Sequence, residues 1–330
     1  MTPPVKLETD HSRSRARFDW RSPPLIALAL AVLLFGLGEL VRPGFAEYSQ
    51  LMNILRVAAF LGVIAIGQTL VILAGGEGID LSVGAVVTLG AIIIFRVTDG
   101  NNALLLPALL LSLAVGFVIG LVNGIGIAYI KIPPLVMTLG MTGVVKGLIL
   151  VVTGGRPQGD TPPIMKAIIS DPWIAGIAGD VFIWVLLGVL MAFVLQRTRY
   201  GKTLYAIGSN RQTARLSGVR VERTVALTYA LSGLFAALGG FVLLGYTQAV
   251  FINLGDQYTL PSIAAVVVGG TALSGGQGGY AGTMAGALVL TLVSSLLITL
   301  GLPEFARQIA YGAILLALLV AYGRARGLRR

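Results

Sequence analysis

Ten apolar runs dominate the 330-residue chain, at about residues 24–42, 51–74, 81–98, 103–130, 134–153, 179–196, 225–249, 258–274, 280–300 and 305–322. A helix that crosses a bilayer needs roughly 20 mostly apolar residues. Within lipid every backbone N–H and C=O must be satisfied inside the protein, which favours helices. The pattern predicts an all-α polytopic membrane protein with about ten transmembrane helices. Only 12% of the residues are charged, against about 25% in an average soluble domain, so a soluble fold of this size would not be solvated. The eighth run is short and ends in glycines, which predicts a re-entrant or broken helix.

The 24 lysines and arginines give the spans a direction. Five lie before the first span (Lys6, Arg13, Arg15, Arg17, Arg21) and four after the last (Arg324, Arg326, Arg329, Arg330). Seven more lie in 197–224: Arg197, Arg199, Lys202, Arg211, Arg215, Arg220 and Arg223. Ten spans with the N-terminus inside put all three segments in the cytoplasm, as the positive-inside rule requires. The expected organisation is a basic cytoplasmic tail 1–23, one transmembrane domain 24–322 with a cytoplasmic loop 197–224, and a basic tail 323–330. The first span reads as a retained helix, because no clean cleavage site follows it. The proline-rich N-terminal arm reads as a disordered segment that contacts lipid headgroups. The net charge of +10 follows these segments and points to no nucleic acid.

With no cysteine and the single histidine, His11, in the tail, metal ligation and imidazole catalysis are not expected. No cofactor is expected on this chain.

Two glycine-rich breaks interrupt the apolar pattern: 74-AGGEGIDLSVGA-85 and 269-GGTALSGGQGGYAG-282. Each precedes a helix of small residues, which allow close packing in lipid. Paired interruptions in the two halves of a transporter point to its solute path. Asp80 and Ser82 are candidate caps for the third span, and Gly269, Gly270, Gly275 and Gly276 form the second break. Leu273 to Gln277 spells LSGGQ, a string that resembles the signature of ABC-type ATPases. An ATPase also needs G-x-x-x-x-G-K-[ST]. The only Gly-Lys-Thr is Gly201-Lys202-Thr203, and Gln196 stands where the first glycine belongs. Gly276-Gln277-Gly278 with Ala281 fits a dinucleotide fingerprint but lacks a βαβ unit. Both strings read as chance matches in a membrane turn.

Segment 197–224 is longer than a connector needs. Ser209-Asn210-Arg211-Gln212 fits a capping box and Gly218 fits a C′ glycine. A short helix over about 210–217 is predicted, with Arg211 and Arg215 on one face.

Four stretches, in order, resemble the permease subunits of sugar ABC importers of the ribose/xylose/arabinose type. They are IDLSVGA at 79–85, IPPLVMTLG at 132–140 with TGGRP at 153–157, LYAIGSNRQTARLSGV at 204–219, and IAAVVVGGTALSGGQG at 263–278. The resemblance implies an ABC importer permease fold in a bacterial cytoplasmic membrane. It also implies pairing with a second permease copy or paralogue, two ATPase subunits that bind ATP and Mg, and a soluble substrate-binding protein. Residues 204–219 would be the coupling helix, shaped by Gly208, Asn210, Ala214 and Gly218, with Arg211 and Arg215 contacting the ATPase. One departure is Ala74-Gly75-Gly76-Glu77-Gly78-Ile79-Asp80, where the family reads T-G-G-I-D-L-S, so that Glu77 and one more residue are inserted.

Polar residues inside apolar spans are expensive and so are candidates for the solute path: Gln68, Asn123, Thr138, Thr142, Gln248 and Asn253. Each also reads as a helix–helix hydrogen bond. Lys146 lies about 18 Å along its span, and must snorkel, face water or pair, with Glu77 or Glu39 as conceivable partners. Glu39 and Arg56 are placed near span ends. Competing readings are an ion-coupled secondary transporter, a branched-chain amino acid permease and a membrane scaffold.

Overall fold

The computed structural model describes residues 23–327. The expectations placed on the N-terminal arm, His11 and the last three residues lie outside the described residues.

The apolar runs are helices: α1 (Pro23–Val41), α2 (Tyr48–Leu73), α3 (Val83–Thr98), α4 (Leu105–Ala128) and α5 (Pro134–Thr153). A turn, α6 (Pro163–Met165), a π-helical turn over Lys166–Ser170 and a hairpin of β1 (Pro172–Ile174) and β2 (Ile177–Ala178) precede α7 (Gly179–Arg197). Two short helices follow, α8 (Arg199–Ser209) and α9 (Arg211–Leu216). Then come α10 (Val221–Thr247), α11 (Thr259–Val268), α12 (Tyr280–Thr299) and α13 (Glu304–Gly327). Seven helices among the described residues are long and apolar enough to cross a membrane: α1, α2, α4, α5, α7, α10 and α12. α3 has 16 residues, and the eighth apolar run is broken, as expected, into the ten-residue α11 and a glycine turn. α10 starts at Val221, four residues before the expected edge of its run. The polar segment before it is therefore shorter than 197–224 and no longer than the segment from Gly154 to Ala178.

α2 and α10 form the centre, and most of their length is buried. α4 crosses α10 on Gly116, Gly120 and Gly124, where a Cβ would meet Gly233 O at 2.4 Å, Tyr229 O at 2.1 Å and Ala226 Cα at 2.6 Å. This spacing of four residues lets the two backbones touch, the small-residue packing that replaces hydrophobic drive within lipid. α12 meets α11 in the same way, with Gly282 against Gly269 and Gly286 against Ala265.

Polar anchors sit at the helix ends. The Glu39 carboxylate accepts N–H bonds from Gly44 at 3.1 Å and Ala46 at 2.7 Å, closing the turn after α1. Arg56 lies about two turns into α2, farther from the end than expected; it donates to the fully buried Asp180 at 3.1 Å and sits 4.8 Å from the Tyr246 ring centre. Tyr280 of α12 donates to Gly62 O at 2.9 Å and accepts from Trp184 Nε1 at 3.0 Å, joining α2, α7 and α12.

Candidate functional site

Apart from the exposed Gly76 and Glu77, the break between α2 and α3 is buried or half-buried, and it is held by side chains from four helices. Asp80 Oδ1 accepts from Ser82 N at 3.0 Å and Ser82 Oγ at 2.6 Å, and its Oδ2 accepts from Ser232 Oγ of α10 at 2.7 Å. Gln68 of α2 makes a two-way amide pair with the Asp80 backbone. Asn123 of α4 donates to Ser82 Oγ at 3.0 Å. On α5, Thr138 donates to Ile79 O at 3.4 Å and Pro134 O at 2.9 Å, and Thr142 to Leu81 O at 3.1 Å. Irregular backbone at membrane depth survives only when such partners satisfy it.

Gln68, Asn123, Thr138 and Thr142 thus come together, as bonds to the break. The first three have no exposed surface to offer a solute in this conformation. Gln248 and Asn253 lie apart from them. Gln248 ends α10 in a left-handed conformation, and its carbonyl accepts from Thr161. Asn253 is exposed in the loop before α11. Neither expected cap bonds an N–H of α3: Asp80 accepts from the N–H of Ser82, the residue before the helix, and the Ser82 hydroxyl is turned to Asp80.

The two glycine breaks and the polar loop meet at one junction. A Cβ on Gly208 of α8 would lie 2.0 Å from Leu73 O and 2.3 Å from Gly276 N. One on Gly275 would lie 2.4 Å from Gly75 Cα, and one on Gly276 would lie 2.5 Å from Ser209 Oγ. Gly276 N donates to Leu73 O at 3.0 Å. LSGGQ is therefore a turn whose glycines admit two other backbones. Tyr205 reaches the same turn through a 2.8 Å bond to Gly278 O. The neighbouring Tyr200 bonds Thr228 Oγ1 at 3.0 Å; burial pushes its phenol up to about 12, so it is neutral at physiological pH.

α9 stands on this junction. Its N-cap is Asn210, whose Oδ1 accepts from Thr213 N at 2.9 Å. This corrects the capping box by one residue: α8 continues through Ser209, which packs beside Gly276. At the other end Val219 N bonds Ala214 O at 3.1 Å and Gly218 N bonds Arg215 O at 3.0 Å, with Gly218 at φ +81°. That is a Schellman cap, the conformation for which glycine was expected. Ala214 is buried against Val71, Ile127, Val221 and Tyr229. Arg211 turns inward, donates to Gly75 O at 3.0 Å and lies against Gly76. Arg215 is exposed and paired with Glu222. Leu216, not singled out in the sequence, is 83% exposed at the end of α9.

Lys146 pairs with Asp256, Nζ to Oδ2 at 2.7 Å, and not with Glu77 or Glu39. Glu39 is used at the turn after α1, and Glu77 is exposed at φ 59° in the turn beside Gly75 and Gly76. A lipid-facing lysine at mid-span would cost about 2.5–3.5 kcal/mol. Among the described residues no group of His, Cys, Asp and Glu is arranged to hold a metal ion.

The family described as the branched-chain amino acid transport system permease component matches residues 50–320. The chain is 33% identical to the autoinducer 2 import system permease protein of Shigella flexneri over 94% of this chain and 90% of that protein. It is 35% identical to the ribose import permease protein of Bacillus subtilis over 94% of this chain and 95% of that one. No solved structure matches.

Proposed function

This chain belongs to the family of transport-system permease components and is a multi-pass membrane protein, and on that premise we propose that it is the membrane subunit of an ATP-driven importer. Its solute is a monosaccharide or a related small polyol. The named solutes of its relatives, ribose and autoinducer 2, support that class over the amino acids in the family's description. A soluble binding protein delivers the solute, and a separate ATPase subunit binds ATP and Mg. A second permease, identical or paralogous, completes the membrane part. The chain sits in a bacterial cytoplasmic membrane with both tails in the cytoplasm.

One observation carries this reading: α8 rests by backbone contact on both glycine breaks at once, and α9, which follows it directly, is tied to the first break by Arg211. Displacing α8 displaces the turns at the ends of α2 and α11 with no soft side chain between, and α9 moves with it. In this role Gly208, Ala214 and Arg211 seat the helix pair, and Asn210 and Gly218 cap α9. Arg215 and the exposed Leu216 face the ATPase. Charged rim contacts of this kind orient a dock more than they strengthen it. Gln68, Asn123, Thr138 and Thr142 keep the α2–α3 break as one body, so that movement there reaches α4, α5 and α10. An ion-coupled transporter needs a carboxylate relay through its spans, whereas Asp80 is closed in by hydroxyls and an amide.

Purification from native membranes in mild detergent tests the assignment. An ATPase with its own phosphate-binding loop should copurify in stoichiometric amount. Recovery of the chain without one, from membranes in which it is active, rejects the reading.

A further inference from the structure

One length of α12 away from the glycine junction, beside the start of α13, lies an open cavity of about 470 Å³. It is lined by Phe251, Asn253, Asp256, Gln257, Glu304 and Gln308. Three features set it apart from an ordinary groove between helix ends. First, it has an aromatic wall, since Phe251 keeps 47% of its surface exposed. Second, three carboxamides border it, and each can donate and accept at once, as a hydroxyl does. Third, its two carboxylates already have cations. Asp256 is held by Lys146 and Glu304 by Arg307, while Gln308 Nε2 donates to Glu304 at 3.2 Å. The cavity is rich in acceptors yet balanced in charge. A zwitterion or an ion would find no free counter-charge there, whereas a neutral solute with several hydroxyls would find acceptors, donors and an apolar face.

The Lys146–Asp256 pair adds a second constraint. Both side chains are more than a third exposed, at 47% and 38%. Beside Lys146 on α5, Gly140, Gly143 and Gly147 have no atom within 4 Å of an added Cβ. Charges at this depth turn away from lipid and pair or face water; Lys146 pairs with Asp256, which joins this side of α5 to the cavity.

We propose that this cavity is a binding station for a small neutral polyhydroxylated solute at the outer mouth of the transport path. Phe251 supports the solute's C–H face, Asn253, Gln257 and Gln308 bond its hydroxyls, and the paired carboxylates accept from adjacent hydroxyls. Lys146 is a positioning residue that holds Asp256 and cancels its charge. The inference rests on the importer reading and deepens it by naming where the solute is met.

The chain contains no cysteine, so an introduced one is the only thiol on this chain, and the same complex without it supplies the background. In the assembled complex in proteoliposomes, Gln257→Cys and Asn253→Cys are exposed to a membrane-impermeant thiol reagent from outside. Both should react, while Leu186→Cys, an exposed apolar position on α7, should not. D-ribose, D-xylose and erythritol are the probes, with leucine as comparison. At least one polyol should slow labelling, about tenfold at saturation, which corresponds to 1.4 kcal/mol, and leucine should not. Unreactive cysteines at both positions, protection by leucine alone, or protection by none of the solutes would overturn the site. ATP-driven polyol uptake without protection would reject the station and leave the importer reading standing. Polyol protection in a complex that takes up no polyol with ATP would keep the station and reject the importer.

Discussion

At Gly208 a methyl group has no room, because Leu73 O and Gly276 N already lie 2.0 and 2.3 Å from where it would sit. Gly208→Ala forces backbone to move and should cost about 1–3 kcal/mol, the usual cost of overpacking. Gly140→Ala on α5 meets nothing within 4 Å and, as a surface change, should stay within about 0.5 kcal/mol. Thermal unfolding of the two variants in detergent compares them, and equal melting temperatures would remove the junction from the account. Asp180→Ala leaves Arg56, only 22% exposed, without its carboxylate. Breaking one side of such a pair costs about 3–5 kcal/mol, visible in the same melt. The glycines were legible in the sequence as interruptions, but their meeting was not. Gly75, Gly208 and Gly276 are brought together by helices whose crossing no local pattern records. Nor was the Lys146 partner legible: 110 positions separate it from Asp256, while Glu39 closes the turn after α1 and Glu77 lies exposed in the α2–α3 break.

For the elements, hydropathy told where helices lie because lipid leaves the backbone few alternatives. All ten apolar runs contain a helix, and the broken eighth run was visible from its glycines. Boundaries were read less well where capping decides them. Ser209 and Asn210 can both cap a helix, and only the packing of Ser209 on Gly276 assigns α9 to Asn210. Asn210→Ala should loosen α9 by about 1 kcal/mol, measured as faster amide exchange in 211–216 with the membrane helices unchanged. Leu216 is the sharper probe of what α9 does. Leu216→Asp alters an exposed side chain and should leave stability within about 0.5 kcal/mol, yet remove the copurifying ATPase. Retention of the ATPase in full amount would place its dock elsewhere. Arg211 reads differently once its place is known: it ties α9 to Gly75, so Arg211→Glu should weaken the junction as well as any dock.

The whole molecule is two regions joined by α10, α2 and α12: a platform of α8 and α9 on the glycine turns, and a bundle whose open side carries Lys146. The family was legible in four motifs, and three of them lie at the glycine junction: the α2–α3 break, the α8–α9 segment and the glycine turn after α11. The solute was less legible, because Gln68, Asn123, Thr138 and Thr142 hold the break, and of the residues lining the cavity only Asn253 was among the sequence candidates, the others coming from loops and helix ends. The central claim is that shape change in this chain is driven by ATP hydrolysed elsewhere. It is tested most directly by solute accumulation in proteoliposomes holding the purified complex, with the binding protein outside and ATP sealed inside or left out. Accumulation that requires both ATP and the binding protein is the predicted result. Accumulation by the chain alone, driven by an ion gradient and indifferent to ATP, would contradict it.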